Sequence, residues 1–224
     1  MVLSFVSRKA SFLAADEWKT IPFSETGPSP VQALMSEAVA IPGILEQIGA
    51  EGSGEEALRH LESILGQLDA WADDFHVSNS ASSPLFWLLP PGEDGRKSIW
   101  FQDITAANAL THYWAFRIIC LRNIEQLRGS GPATGSLEET KRLSGMICQS
   151  TEYLMQDRMK LFGPTSVALP LRTAYETFQA GGDESAGELQ RCKAILAGLS
   201  SHGYDFVSFI VAPDMSIENQ GSRW

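Results

Sequence analysis

Three polar side chains stand close together in an otherwise apolar stretch, "ALTHYWAFRIICLRNIEQL", residues 109–127. His112, Tyr113 and Arg117 are each able to donate a hydrogen bond, and Tyr113 and Arg117 lie four apart, on one face of a helix. A second polar strip, Gln149, Glu152, Tyr153 and Gln156, recurs at three- and four-residue spacing further on. Set around a cavity, donors of this kind polarise a carbonyl on which charge develops, with Tyr113, His112 and Arg117 as the catalytic candidates. Trp71, Trp87, Trp100, Phe101 and Trp114 supply apolar walls for such a cavity. Together with Gln149, Glu152 and Tyr153 they make the expected substrate-binding set. The plainer expectation is structural, because burying a charge costs enough that Arg117 should pair with a carboxylate such as Glu152.

Other chemistries lack their residues. The chain has no Gly-rich phosphate loop, no Gly-x-Ser-x-Gly elbow and no His-x-x-x-His pair, so no nicotinamide, flavin or metal cofactor is expected. His60, His76, His112 and His202 are far apart, with no ligand partner at short spacing. Cys120, Cys148 and Cys192 are an odd number without close pairs. That argues against a disulfide framework or a cysteine-bound zinc, and for buried free thiols.

The elements that would position these residues are helices. The 224 residues are 44% hydrophobic and 20% charged, the balance of a globular chain with a real core. Ser29-Pro30-Val31-Gln32 places a serine cap, a proline at the first helical position and a glutamine three after the cap. Ser53, Ser136 and Ser185 each precede a glutamate by three residues, ahead of an apolar periodic run. Leu58, Leu61, Ile64, Leu65, Leu68 and Trp71 form one stripe over about 56–76. Leu143, Ile147, Ser150, Leu154 and Met155 form another over about 137–160, and Leu189, Cys192, Ile195, Leu196 and Leu199 a third over about 186–202. Pro42-Gly43 should split the first helical region into 30–40 and 42–49.

The segment from Asp103 to Arg128 is apolar on every face and charged enough to exclude a membrane span, so it is expected to be the central helix of an all-α domain. The whole chain, 1–224, is read as one all-helical domain of about six to eight helices. Residues 1–28 should be irregular, and 77–102 a long loop carrying aromatic residues. Residues 204–211 fit a short strand or a final helical turn equally well. A formal net charge of −10 and the lack of a Lys/Arg run argue against direct nucleic-acid binding.

In order along the chain, "HYWAFRIICLRNIEQL", "ICQSTEYL", "LPLRTAYETF" and "ELQRCKAILAGLSSHGYDF" resemble the regulatory region of fungal binuclear zinc-cluster transcription factors, over about residues 31–210. The resemblance implies an all-helical regulatory-type domain. It does not extend to the six-cysteine DNA-reading cluster, for which three cysteines do not suffice. Two functions follow as expectations. One is a cofactor-independent cyclase of secondary metabolism, closing a ring in an apolar substrate by a pericyclic, Diels–Alder-type reaction, with shape and one or two donors as its means. The other is a DNA-binding-deficient regulator that senses a metabolite or joins a protein partner. Either implies an apolar small-molecule ligand, leaves room for a homodimer, and points to the cytoplasm, or to the nucleus for the regulator.

Overall fold

The computed structural model describes residues 1–51, 54–79, 83–92, 97–129 and 134–212. Their contacts gather into two compact units, one formed by residues 1–85 and 116–137, the other by 86–115 and 138–224. The long helix between residues 104 and 128 contributes half of itself to each.

The first unit begins with helix α1 (Val2–Ser7) and helix α2 (Asp16–Thr20), where an irregular segment was expected. The reason is tertiary. Phe5 is buried and stacks on Phe116, ring centroids 5.2 Å apart, while the Glu46 carboxylate accepts from the Ala10 amide at 2.8 Å and from Lys9 Nζ at 2.9 Å. Helix α3 (Pro30–Ala38) starts as its sequence requires: Ser29 and Gln32 exchange a reciprocal capping box, and Pro30 occupies the first turn. Helix α4 (Ile41–Glu51) follows after a break at residues 39–40; Pro42 and Gly43, where the break was expected, lie in its first turn. Helix α5 (Gly54–Asn79) packs against both, burying Leu61, Ile64, Leu68, Ala72 and Phe75 along one stripe. Its expected cap, Ser53, lies outside the described residues.

The second unit opens with a feature absent from the helical pattern. Strands β1 (Phe86–Leu88) and β2 (Ile99–Phe101) pair antiparallel, Phe86 opposite Phe101 and Trp87 opposite Trp100, so part of the expected loop is a hairpin. Helix α6 (Ile104–Arg128) follows, with the Asp103 carboxylate accepting from the Ala106 amide at 2.8 Å as its cap. Buried residues run around its whole circumference, among them Leu110, Trp114, Phe116, Ile118, Cys120 and Ile124. Its apolarity on every face has this as its cause.

Helix α7 (Thr134–Leu154) starts two residues before Ser136, which is therefore an interior residue and not the cap expected of it. Helix α8 (Phe162–Ala180) keeps Pro170 in its interior and buries most of its residues; Thr173 and Thr177 satisfy their hydroxyls on carbonyls four residues back. Helix α9 (Ala186–Ser201) does begin after Ser185, yet that hydroxyl makes no cap hydrogen bond; it crowds Gly181 instead. Residues 205–211 settle the strand-or-helix alternative as helix α10 (Asp205–Val211). Arg172 Nη1 donates to the Ile210 carbonyl at 2.6 Å, satisfying an oxygen the last turn leaves unpaired. Helices α8, α9 and α10 pack against one another. The fold is all-α apart from the small hairpin. Among the described residues no helix is long and apolar enough to cross a membrane.

Candidate functional site

The aromatic residues singled out in the sequence divide by unit. In the second unit Trp100, Phe101, Trp114 and Tyr153 meet, joined by Phe86. Phe101 and Tyr153 centroids are 5.3 Å apart, Trp100 and Tyr153 5.6 Å, and Phe86 and Trp114 5.8 Å in an edge-to-face contact. Strand alternation turns Ile99 and Phe101 to the same buried side, with Phe86 opposite Phe101, while Trp100, on the other face of β2, meets Tyr153 edge-on. Phe101, Trp114 and Tyr153 are 2%, 4% and 3% exposed, so the cluster is packed as core. Such edge contacts add about 0.5–1.5 kcal/mol each beyond simple burial. Trp87, at 41% exposed, lies on the outer side of β1.

Trp71 belongs to the first unit. Its indole donates to the Pro30 carbonyl at 2.9 Å and its ring stacks on Phe75, centroids 4.9 Å apart. Arg117 is in the same unit, and its guanidinium pairs with the Asp69 carboxylate. A carboxylate partner was expected; Glu152 is not it. That α6 residue faces α5, where Asp69 stands ready, as Arg128 nearby pairs with Glu62 at 2.6 Å.

His112 is buried in the second unit, and its Nδ1 lies 2.9 Å from the Asn108 carbonyl one turn back. With that carbonyl as acceptor, Nδ1 carries the proton. Burial lowers the ring's pKa from the usual 6.5 to about 4, so the imidazole is neutral at physiological pH. Tyr113 is half-buried and has an interaction partner.

A cavity of about 400 Å³ lies in the second unit, at the C-terminal end of α7. Volumes of a few hundred Å³ are of the size that takes small molecules. One wall is polar: Gln149 and Glu152 come from α7, and Gln156 and Asp157 from the turn after it. Ser98, just before β2, donates its hydroxyl to the Glu152 carboxylate, and the Ser98 carbonyl is held by the Leu89 amide at 2.8 Å across the hairpin. The apolar lining comes from Ile195, Gly198 and Leu199 of α9, with Met155 beside the end of α7. His202 and Tyr204 edge it from the α9–α10 turn; His202 Nδ1 lies 2.8 Å from the Gly198 carbonyl.

Of the expected binding residues, the structure thus brings Gln149 and Glu152 to the cavity. Tyr153 points to the aromatic cluster, and none of the tryptophans, nor Phe101, His112, Tyr113 or Arg117, is in the wall. The polar residues missed by sequence reasoning are Lys97, Ser98, Asp157, His202 and Tyr204, which lie outside the long helices and carry no periodic signal, with Cys148 and Thr151 of α7. Among the described residues no three His, Cys, Asp or Glu side chains gather as metal ligands. Comparison of the chain with protein-family models, curated proteins and solved structures returns no match.

Proposed function

We propose that this protein is a regulatory-type helical domain that binds a small metabolite, with the cavity between α7 and α9 as its receptor site. The observation that carries this reading is the division of one cavity into a hydrogen-bonding wall and an apolar wall. An ionised carboxylate only accepts hydrogen bonds. Glu152 therefore calls for a ligand with a donor end, a hydroxyl or an ammonium, on an apolar body that lies along Ile195 and Leu199. Glu152 and Asp157 outnumber Lys97 in the lining and together disfavour a ligand carboxylate. The likeness to fungal zinc-cluster regulators supports the same reading, since metabolite sensing suits a regulatory-type helical domain. The ring-closing enzyme draws less support, because the aromatic side chains meant to fold its substrate are packed as core.

Ligand-observed NMR with three probes on one frame tests this: cyclohexylmethanol, cyclohexylmethylamine and cyclohexanecarboxylate. The alcohol and amine should bind and the carboxylate should not. A Cβ at Gly198 meets nothing within 4 Å, so Gly198→Phe can fill the cavity without displacing backbone, and should abolish binding. Equal binding by Gly198→Phe, or no preference against the carboxylate, would refute the site.

A further inference from the structure

Between Phe5 and Leu34, both buried, no residue of the first unit is buried. This stretch carries Arg8-Lys9-Ala10-Ser11-Phe12, a serine with basic residues three and two positions before it and a large apolar residue after it. Protein kinases choose substrates by charge pattern, and an acid-lined substrate groove takes such a segment as extended backbone. Ser11 is already extended, with φ −98° and ψ 135°. Arg8 is exposed, as are the Lys9 side chain and Phe12, at 69% and 70%. To extend the whole segment, Arg8 must leave a φ of 50° and the single 3₁₀ turn Phe12–Ala14 must open. The first change relieves a left-handed conformation that a non-glycine residue disfavours, and the second exposes nothing that was buried.

The same spacing occurs once more, at Lys141-Arg142-Leu143-Ser144. There the serine is 0% exposed inside α7, Lys141 pairs with Glu184 and Arg142 with Glu139. Ser144 cannot reach a kinase unless α7 leaves the core. The fold therefore separates two segments that the sequence makes alike.

We propose that Ser11 is a phosphorylation site for a basic-directed protein kinase, and that its phosphate releases Lys9 and Ala10 from Glu46. The Ser11 Oγ attacks the γ-phosphorus of a nucleoside triphosphate. The new P–O bond forms as the bond to the β–γ bridging oxygen breaks, the nucleoside diphosphate leaves, and the hydroxyl proton passes to the kinase's base. The product carries a charge of about −1.5 to −2 at pH 7. It stands one residue from the Ala10 amide and two from Lys9, which the Glu46 carboxylate holds at 2.8 Å and 2.9 Å. Phosphate and carboxylate repel each other and compete for Lys9, and the exposed Lys9–Glu46 pair is weakly held. Ser11 belongs to the first unit and the cavity residues to the second, so either reading can fail while the other stands.

The test incubates the folded full-length chain with ATP, Mg²⁺ and the catalytic subunit of cyclic-AMP-dependent protein kinase, and maps phosphate by mass spectrometry. One phosphate per chain is expected, at Ser11, with Ser144 unmodified; Ser11→Ala should leave the chain unphosphorylated. Arg8→Gln combined with Lys9→Gln should slow transfer by roughly tenfold or more. Losing Lys9 also loosens the tie to Glu46, which by itself would speed transfer, so a drop reports recognition of the basic pair. In the phosphorylated chain the Ala10 amide should exchange with deuterated solvent severalfold faster. An unmodified Ser11, phosphate on Ser144 of the folded chain, or an equal rate in the double variant would overturn the site. An unchanged Ala10 exchange rate would overturn the release from Glu46.

Discussion

Replacing Gly163 by alanine should damage this protein more than any single methyl group ordinarily does. Gly163 is buried in the first turn of α8, against the end of α7. A Cβ built there falls 1.7 Å from the Leu154 carbonyl oxygen and 2.9 Å from its carbon. A tolerable carbon–oxygen contact is about 3.3 Å, so the two segments would have to part by roughly 1.6 Å. The obstacle is backbone, which cannot swing aside as a side chain does. Overpacking typically costs about 1–3 kcal/mol, and the upper end applies here. Alanine's better helix propensity returns about 1 kcal/mol, leaving a net loss of about 2 kcal/mol, or a Tm lowered by about 4–8 °C for a chain of this size. The control is Gly66→Ala in the middle of α5, where an added Cβ meets nothing within 4 Å and should raise stability by up to about 1 kcal/mol. Thermal and urea unfolding of both variants measure the difference. A Gly163→Ala midpoint within 1 °C of wild type, beside a stabilised Gly66→Ala, would mean that α7 and α8 do not approach as described. The consequence reaches the cavity, because the turn that Gly163 closes carries Met155, Gln156 and Asp157.

Stability should fall as pH drops from 6.5 towards 4: the unfolded chain protonates His112 in that window while the fold holds it neutral, a contribution of about 3 kcal/mol that is level above and below it. His112→Gln should flatten that slope in urea titrations, and an unchanged slope would remove the burial argument. A double-mutant cycle of Arg117→Gln and Asp69→Asn should give a coupling of only about 0.5–1 kcal/mol, since both side chains are partly exposed, at 23% and 42%. Trp114→Ala should lose about 3–5 kcal/mol as an ordinary core truncation; a small loss would mean that Trp114 packs less fully than its burial indicates.

Helices α5, α7 and α9 were legible in the sequence because each repeats an apolar period over about three turns or more, and α6 because it is apolar on every face. The Ser29 box and the Asp103 cap were legible for a similar reason, as a fixed residue type at a fixed spacing. Ser136 and Ser185 satisfy that spacing without capping, because the cap also needs extended backbone: Ser136 lies inside α7, and Ser185 has a ψ of 12°. The hairpin was hidden by its three-residue strands, too short to display alternation. Helix α8 carries Gly163, Pro164 and Pro170, each a breaker on local grounds, and holds because its surroundings bury it. In the candidate site, Gln149 and Glu152 showed as polar residues at helical spacing. Ser98, His202 and Tyr204 join them only through the hairpin and the α9–α10 turn. Arg117's need for a carboxylate was legible from its setting, whereas the choice of Asp69, 48 residues away, belongs to the packing of α5 on α6.

The division of α6 between two units also orders events during synthesis. The first unit is discontinuous, needing residues 116–137 to complete what residues 1–85 begin. A ribosome must therefore deliver β1, β2 and the front half of α6 before the first unit has all its parts. Until Phe116 emerges, Phe5 lacks the ring it stacks on, and until Arg117 and Arg128 emerge, Asp69 and Glu62 lack their cations. No single cut yields either unit by itself. A nascent chain stalled near residue 115 should remain open to protease across its first 85 residues, and become resistant once the chain has passed residue 137.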